Sequence, residues 1–293
     1  MGRSLIQAVV DGLLNGGVYS TIAVGLSLAF GIMRILNWAH SEFLMLGMYV
    51  AFLLVRSTGI DPYLTIVVSG SVMFIIGYAL QSRVLNNLIE KSKSREPLSV
   101  LMFTLGIGMI LSNGALIVFG KNPIAVQTRY MGQSIKLDWL IVSIPRLISF
   151  IIALILTTAI FLFVNKTEVG RAMRVTSQNR EVAQLMGIDH KVIYSLAFAI
   201  GLGLVGISGS LLVPYMAVST AIGTTFGNKS FIIVVLGGKG SIEGALVGGL
   251  IVGLIEKVGA LFWNDAYAQL IVFILFVVML FFMPNGLLNK DKG

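Results

Sequence analysis

Nine long apolar stretches joined by short polar links decide what this chain can fold into. They fall at about 5–30, 43–55, 62–82, 97–119, 147–164, 192–214, 217–238, 242–258 and 266–283. A helix needs about 20 apolar residues to cross about 30 Å of hydrocarbon. No polar stretch between the runs is long enough to make a water-soluble domain. Of the 293 residues, 56% are hydrophobic and 12% charged, whereas a soluble domain carries about 25% charged residues. A chain with a mean hydropathy of +0.92 needs a bilayer as its solvent. That excludes a disordered protein, a secreted disulfide scaffold and an ordinary cytosolic enzyme. The first run lacks a small-residue cleavage site and is read as a retained span. The expected fold is all-α, a single polytopic transmembrane helix bundle over 1–293 with about eight to ten helices and nine as the working count.

Two runs are irregular. The run 43–55 is too short to span and must borrow residues from Asn37-Trp38-Ala39-His40-Ser41-Glu42. The run 217–238 contains Gly223, Gly227, Asn228 and Lys229, so a broken or re-entrant helix is expected there. Orientation follows from lysine and arginine, which favour cytoplasmic loops. With nine spans, thirteen of the 21 basic residues fall on the face holding the loops 83–96 and 165–191, against eight, including Lys229, on the other. Those two loops and the C-terminus are therefore expected in the cytoplasm. The net charge of +8 is read as basic loops against anionic headgroups of the lipid bilayer, with no nucleic-acid partner.

Lipid tails give helices no hydrophobic reason to associate, so bundles rely on small residues that let backbones touch. Gly240, Gly244 and Gly248 recur at spacing four, Gly249 and Gly253 repeat it one residue along, and Gly201, Gly203, Gly206 and Gly209 crowd another run. These glycines are expected to pack helices within the subunit; a sliding face or a subunit interface is the alternative. Ionisable groups at bilayer depth are functional candidates by default, and Asp11, His40, Glu42, Glu243 and Glu256 form that short set. The polar turn Asn37–Glu42 and the turn Gly237–Glu243 each precede a glycine-containing apolar helix, which allows a pseudo-repeat around a translocation site. For Glu243 an interfacial cap is the preferred reading; for His40, Ser41 and Glu42 the pathway is.

The segment 165–191 holds a short surface helix. Thr176, Ser177 and Asn179 could start it, Gly187 stops it, and Val182, Leu185 and Met186 lie on one side, either as a docking element or as a connector on headgroups. The chain has no cysteine, no P-loop, and no HExxH or GxSxG motif. No catalytic residue, metal site or cofactor is expected, and any nucleotide hydrolysis belongs to another chain.

Four motifs in order resemble the LivH-type permease subunit of ABC importers for branched-chain amino acids. Gly31 through Glu42 is similar to a glycine followed by N-F-A-H-G-E, with Trp38 for phenylalanine and Ser41 for glycine. Gly170-Arg171-Ala172-Met173-Arg174 through Gly187-Ile188 is similar to G-R-A-x-R-A … A-x-x-x-G-I, with Val175 for the second alanine. It keeps the importer loop spacing as Glu181-Val182-Ala183 and Gly187. Val235 through Ala245 resembles V-L-G-G-x-G-S-x-x-G-A, and Pro284-Asn285-Gly286-Leu287-Leu288 resembles the tail R-P-x-G-L, with Met283 for arginine.

The resemblance implies the ABC importer permease fold in a plasma (inner) membrane. It also implies a second permease of LivM type, two cytoplasmic ATP-binding subunits and a periplasmic or extracellular substrate-binding protein. It places Arg171, Glu181, Ala183 and Gly187 at the ATPase-coupling loop, and Asn37, His40, Ser41 and Glu42 near the pathway. A stand-alone channel or secondary carrier for small polar solutes such as urea or amides is the alternative, and the scarcity of buried carboxylates speaks against a carrier.

Overall fold

The structure is a computed structural model and describes residues 2–92, 96–137, 139–283 and 285–288. Lys93, Arg95, Lys290 and Lys292 of the basic count and Pro284 of the tail motif lie outside the described residues. The elements are α1 (Gly2–Met33), α2 (His40–Thr58), α3 (Thr65–Leu80), α4 (Asn86–Ser92), α5 (Glu96–Phe119), a hairpin of β1 (Ser134–Leu137) and β2 (Leu140–Ser143), α6 (Ile144–Lys166), α7 (Glu168–Gln178), α8 (Arg180–Leu185), α9 (His190–Leu212), α10 (Ile222–Gly237), α11 (Ile242–Phe262) and α12 (Asp265–Phe282). A π-helical turn, Gln81–Leu85, joins α3 to α4. The all-α reading holds, with the four-residue strands as its one small departure.

Among the described residues, eight helices are long and apolar enough to cross a membrane, not nine. The ninth apolar run became α10, whose 16 residues reach about 24 Å at 1.5 Å per residue. It falls short because residues 213–221 remain irregular and consume the first part of the run. The chain still passes nine times between the two ends of the bundle.

Contacts fix those ends. Ser27 donates to Ser241 O at 3.1 Å, and Arg34 donates to Ser177 O. Lys191 pairs with Glu90 at 2.6 Å, and the tail returns to α10 through Leu287 N to Leu236 O. At the other end Arg146 pairs with Asp11 at 3.2 Å, Gln7 bonds Ile141, and Ile124 bridges Val218. There Tyr130 donates to Asp61 at 2.7 Å, which holds its phenol above the ordinary range, and burial pushes the half-buried Tyr63 up to about 12.

The bundle is centred on α1 and α9, buried along most of their length, while α5, α6 and α12 expose apolar side chains outward. A helix apolar on all sides is stable in such a setting because lipid covers what protein does not. The glycines supply the contacts. Gly249 and Gly253 of α11 lie on Ser20, Gly16 and Gly12 of α1, and Gly244 and Gly248 turn to Gly237 and Ile233 of α10. Gly240 precedes the helix, in the left-handed turn (φ +88°) that rests on Gly31. Gly201 meets Gly25, and Gly206 and Gly209 meet Ser69, Leu44 and Met48. These contacts join helices of this chain to one another.

Candidate functional site

Two helices begin inside the bundle instead of at its ends. After α1 the chain reverses at Arg34, the single non-glycine residue with positive φ (54°) among the described residues, and residues 35–39 climb back. α2 then starts at His40, whose Nε2–H donates to Ile22 O at 3.1 Å. Ile22 lies eleven residues before the end of α1, or about 16 Å along it. Four hydrogen bonds hold the turn. Asn37 Oδ1 accepts from Ala39 N at 3.1 Å, Thr104 Oγ1 accepts from Trp38 N at 3.2 Å, and Ala39 O accepts from Glu42 and Phe43 to open the helix. α2 thus reaches the 19 residues of a span by taking in His40, Ser41 and Glu42 at its start and Arg56, Ser57 and Thr58 at its end.

α10 begins at a matching depth. Gly223 lies fourteen residues before Gly237, about 21 Å, and its Cα faces the Glu42 carboxyl; a Cβ there would sit 2.5 Å from Glu42 Cδ. One turn on, a Cβ at Gly227 would sit 2.5 Å from the Ser41 hydroxyl. The two glycines are the room that Ser41 and Glu42 occupy.

These residues wall a cavity of about 280 Å³ between α1, α2, α5 and α10. Asn37, His40, Ser41 and Glu42 all line it, so the four residues singled out in the sequence are brought together. Ser112 and Asn113 of α5 and Thr224 of α10, which the sequence did not single out, complete the polar wall together with Asn228, marked there only as part of an irregular run. Leu36, Leu105, Met109 and Phe231 make the apolar wall. Glu42 Oε2 and Asn37 Nδ2 are buried with no hydrogen-bonding partner. Asn113, Thr224 and Asn228 are exposed, although they sit at helix depths that lipid would cover. Lipid does not tolerate such groups, so this flank is no lipid face.

The opposite side of α10 carries a feature the sequence reading missed. Lys229, counted there with the outer loops, is largely covered, its side chain 13% exposed, and is paired with Glu256 of α11 at 2.8 and 2.9 Å. Its ammonium also lies 4.8 Å from the Tyr19 ring centre and 5.7 Å from that of Phe226.

The turn Gly238–Ser241 lies at the end of α1, where Ser241 caps Gly244 N at 2.9 Å and Glu243 is exposed. It is an interfacial cap, not a second deep turn, which removes the pseudo-repeat's equivalence of depth.

At the α7–α8 end, Asn179 caps α8 by accepting from Glu181 N and Val182 N, and Gly187 ends it at φ +80° with Ile188 N returned to Ala183 O. Leu185 (88% exposed), Met186 (66%) and Val182 (45%) project outward, while Ala183 is fully buried. Glu181 is exposed, and the exposed Arg171 pairs with Glu168 at 3.1 Å. α7, capped by Thr167 and anchored by Arg174 to Val164 O, is a second helix in this loop that the reading lacked.

The chain matches the family described as "Branched-chain amino acid transport system / permease component" over residues 8–280. It is 29% identical to the high-affinity branched-chain amino acid transport system permease proteins BraD of Pseudomonas aeruginosa and LivH of Escherichia coli, over 98% of this chain and 96% of each relative. It is 25% identical to the D-allose transport system permease protein AlsC of Escherichia coli, over 91% of this chain and 77% of that one. No solved structure matches it.

Proposed function

On the premise that this chain belongs to the family of permease components of branched-chain amino acid transport systems, we propose that its pathway runs along the flank where α2 and α10 begin. The chain is the transmembrane permease subunit of an ABC importer, a multi-pass protein of the inner membrane and not an enzyme. The observation that carries the pathway is the interrupted start of α2: a helix opening at bilayer depth against a polar cavity that is unfit for lipid. Transport sites are built from such discontinuous helices. The open flank is closed by a second permease subunit of LivM type, and substrate passes between the two. The alternative of a lone channel or carrier gains no support from the relatives, and the polar wall stands open on the side where a partner would close it.

The loop 165–191 lies in the cytoplasm and docks an ATPase subunit. Leu185, Met186 and Val182 form its apolar contact, and Arg171 and Glu181 flank it. Ala183 and Gly187 act from beneath, the first by letting α8 lie flat on the bundle and the second by ending it. Two ATP-binding subunits, on closing, favour one arrangement of the permease pair, because packed helices move between discrete states. An external binding protein delivers branched-chain amino acid to the opposite end.

The test uses the absence of native cysteine in this chain. In the assembled complex, Asn228→Cys is expected to react with a small charged thiol reagent, while Ile274→Cys on the exposed face of α12 stays unmodified in lipid. Equal inertness of the two thiols would remove the pathway from this flank.

A further inference from the structure

Resting on that pathway, we infer that Glu42 is the acceptor for the ammonium group of an aliphatic amino acid, so that the cavity is built for a zwitterion and not for a neutral solute. Glu42 has an unpartnered buried oxygen at bilayer depth, and no lysine or arginine lines its cavity. The cation nearest in sequence on α10, Lys229, is turned away and held by Glu256 at 2.8 Å. A desolvated carboxylate needs a countercharge, and the arriving substrate brings one.

The rest of the wall fits the same molecule. Asn37, 95% buried with its own amide nitrogen unpaired, offers a neutral donor for the substrate carboxylate. Leu36, Leu105, Met109 and Phe231 take an aliphatic side chain, in the usual pattern of an apolar pocket with few placed polar groups. Gly223 and Gly227 keep the approach to Glu42 and Ser41 free of side chains.

The experiment measures protection of Asn228→Cys from a small thiol reagent in the complete complex. The probes are leucine and 4-methylpentanoate, which is leucine without its amino group. Leucine is expected to slow labelling and the des-amino acid to do so at least tenfold less effectively. In Glu42→Gln the leucine concentration needed for protection should rise at least tenfold, the des-amino acid should be unaffected, and Glu42→Asp should fall between. Equal protection by leucine and 4-methylpentanoate with Glu42 in place overturns the inference, as does unchanged leucine protection in Glu42→Gln; in both cases the pathway stands. If Glu42→Gln fails to assemble, the comparison of the two probes in the Glu42 chain decides alone. Labelling that leucine does not slow in the Glu42 chain overturns the inference, and an Asn228→Cys that never reacts overturns the pathway as well.

Discussion

Replacing Lys229 with methionine is expected to destabilise the subunit by about 3–5 kcal/mol, the usual penalty for removing one partner of a buried ion pair. The loss would come less from the attraction given up than from Glu256, left charged among apolar helices with only the Tyr19 hydroxyl at 3.5 Å. The double substitution Lys229→Met with Glu256→Met should recover most of that stability, because it removes both desolvation penalties together. Thermal unfolding of the purified protein in detergent reads both. A double variant no more stable than the single one would show that the pair contributes through packing, not charge. The pair also fixes α10 to α11, while Thr224, Gly227 and Asn228 of the same helix border the cavity. Uptake should therefore fall in the single variant and return in the double.

Gly244→Leu should be nearly as damaging. Gly244 and Gly237 meet backbone to backbone, and a Cβ on either would strike the other's carbonyl. That carbonyl belongs to a helix and cannot rotate aside as a side chain would, so α10 and α11 must separate. Overpacking typically costs about 1–3 kcal/mol, and a leucine here lies at or beyond the upper end. Val247→Leu, on the exposed side of the same helix (38% exposed), is the control and should leave the yield of monodisperse protein unchanged. Equal yields from the two variants would mean that this contact is looser than the structure places it.

Much of this architecture is written in the chain, and the exceptions have physical causes. Length and apolarity mark the spans, and glycine spacing marks the faces where α11 meets α1 and α10. The deep start of α2 was legible because 43–55 is too short to cross alone, and Asn179 and Gly187 mark α8 through cap chemistry that acts locally. What stayed hidden depends on distant neighbours. Nothing near Lys229 in sequence says that it turns inward to Glu256. The left-handed turn at Arg34 is taken by a residue that does not favour it, held by the bond to Ser177 across the fold. Ser112 and Asn113 read as ordinary polar residues in a span until α5 is laid beside α2. The break expected at Gly223, Gly227, Asn228 and Lys229 is not there: these residues are helical in α10, and the irregular backbone lies before them at 213–221.

The central claim is that this subunit gates a path and leaves the work to other chains. Proteoliposomes holding the full complex, with radiolabelled leucine and binding protein on one side and ATP on the other, test it most directly. Leucine should accumulate only when ATP and the ATP-binding subunits are present, on the side where the loop 165–191 faces them. Accumulation of leucine against its gradient by this chain alone, without nucleotide or partner, would contradict the account.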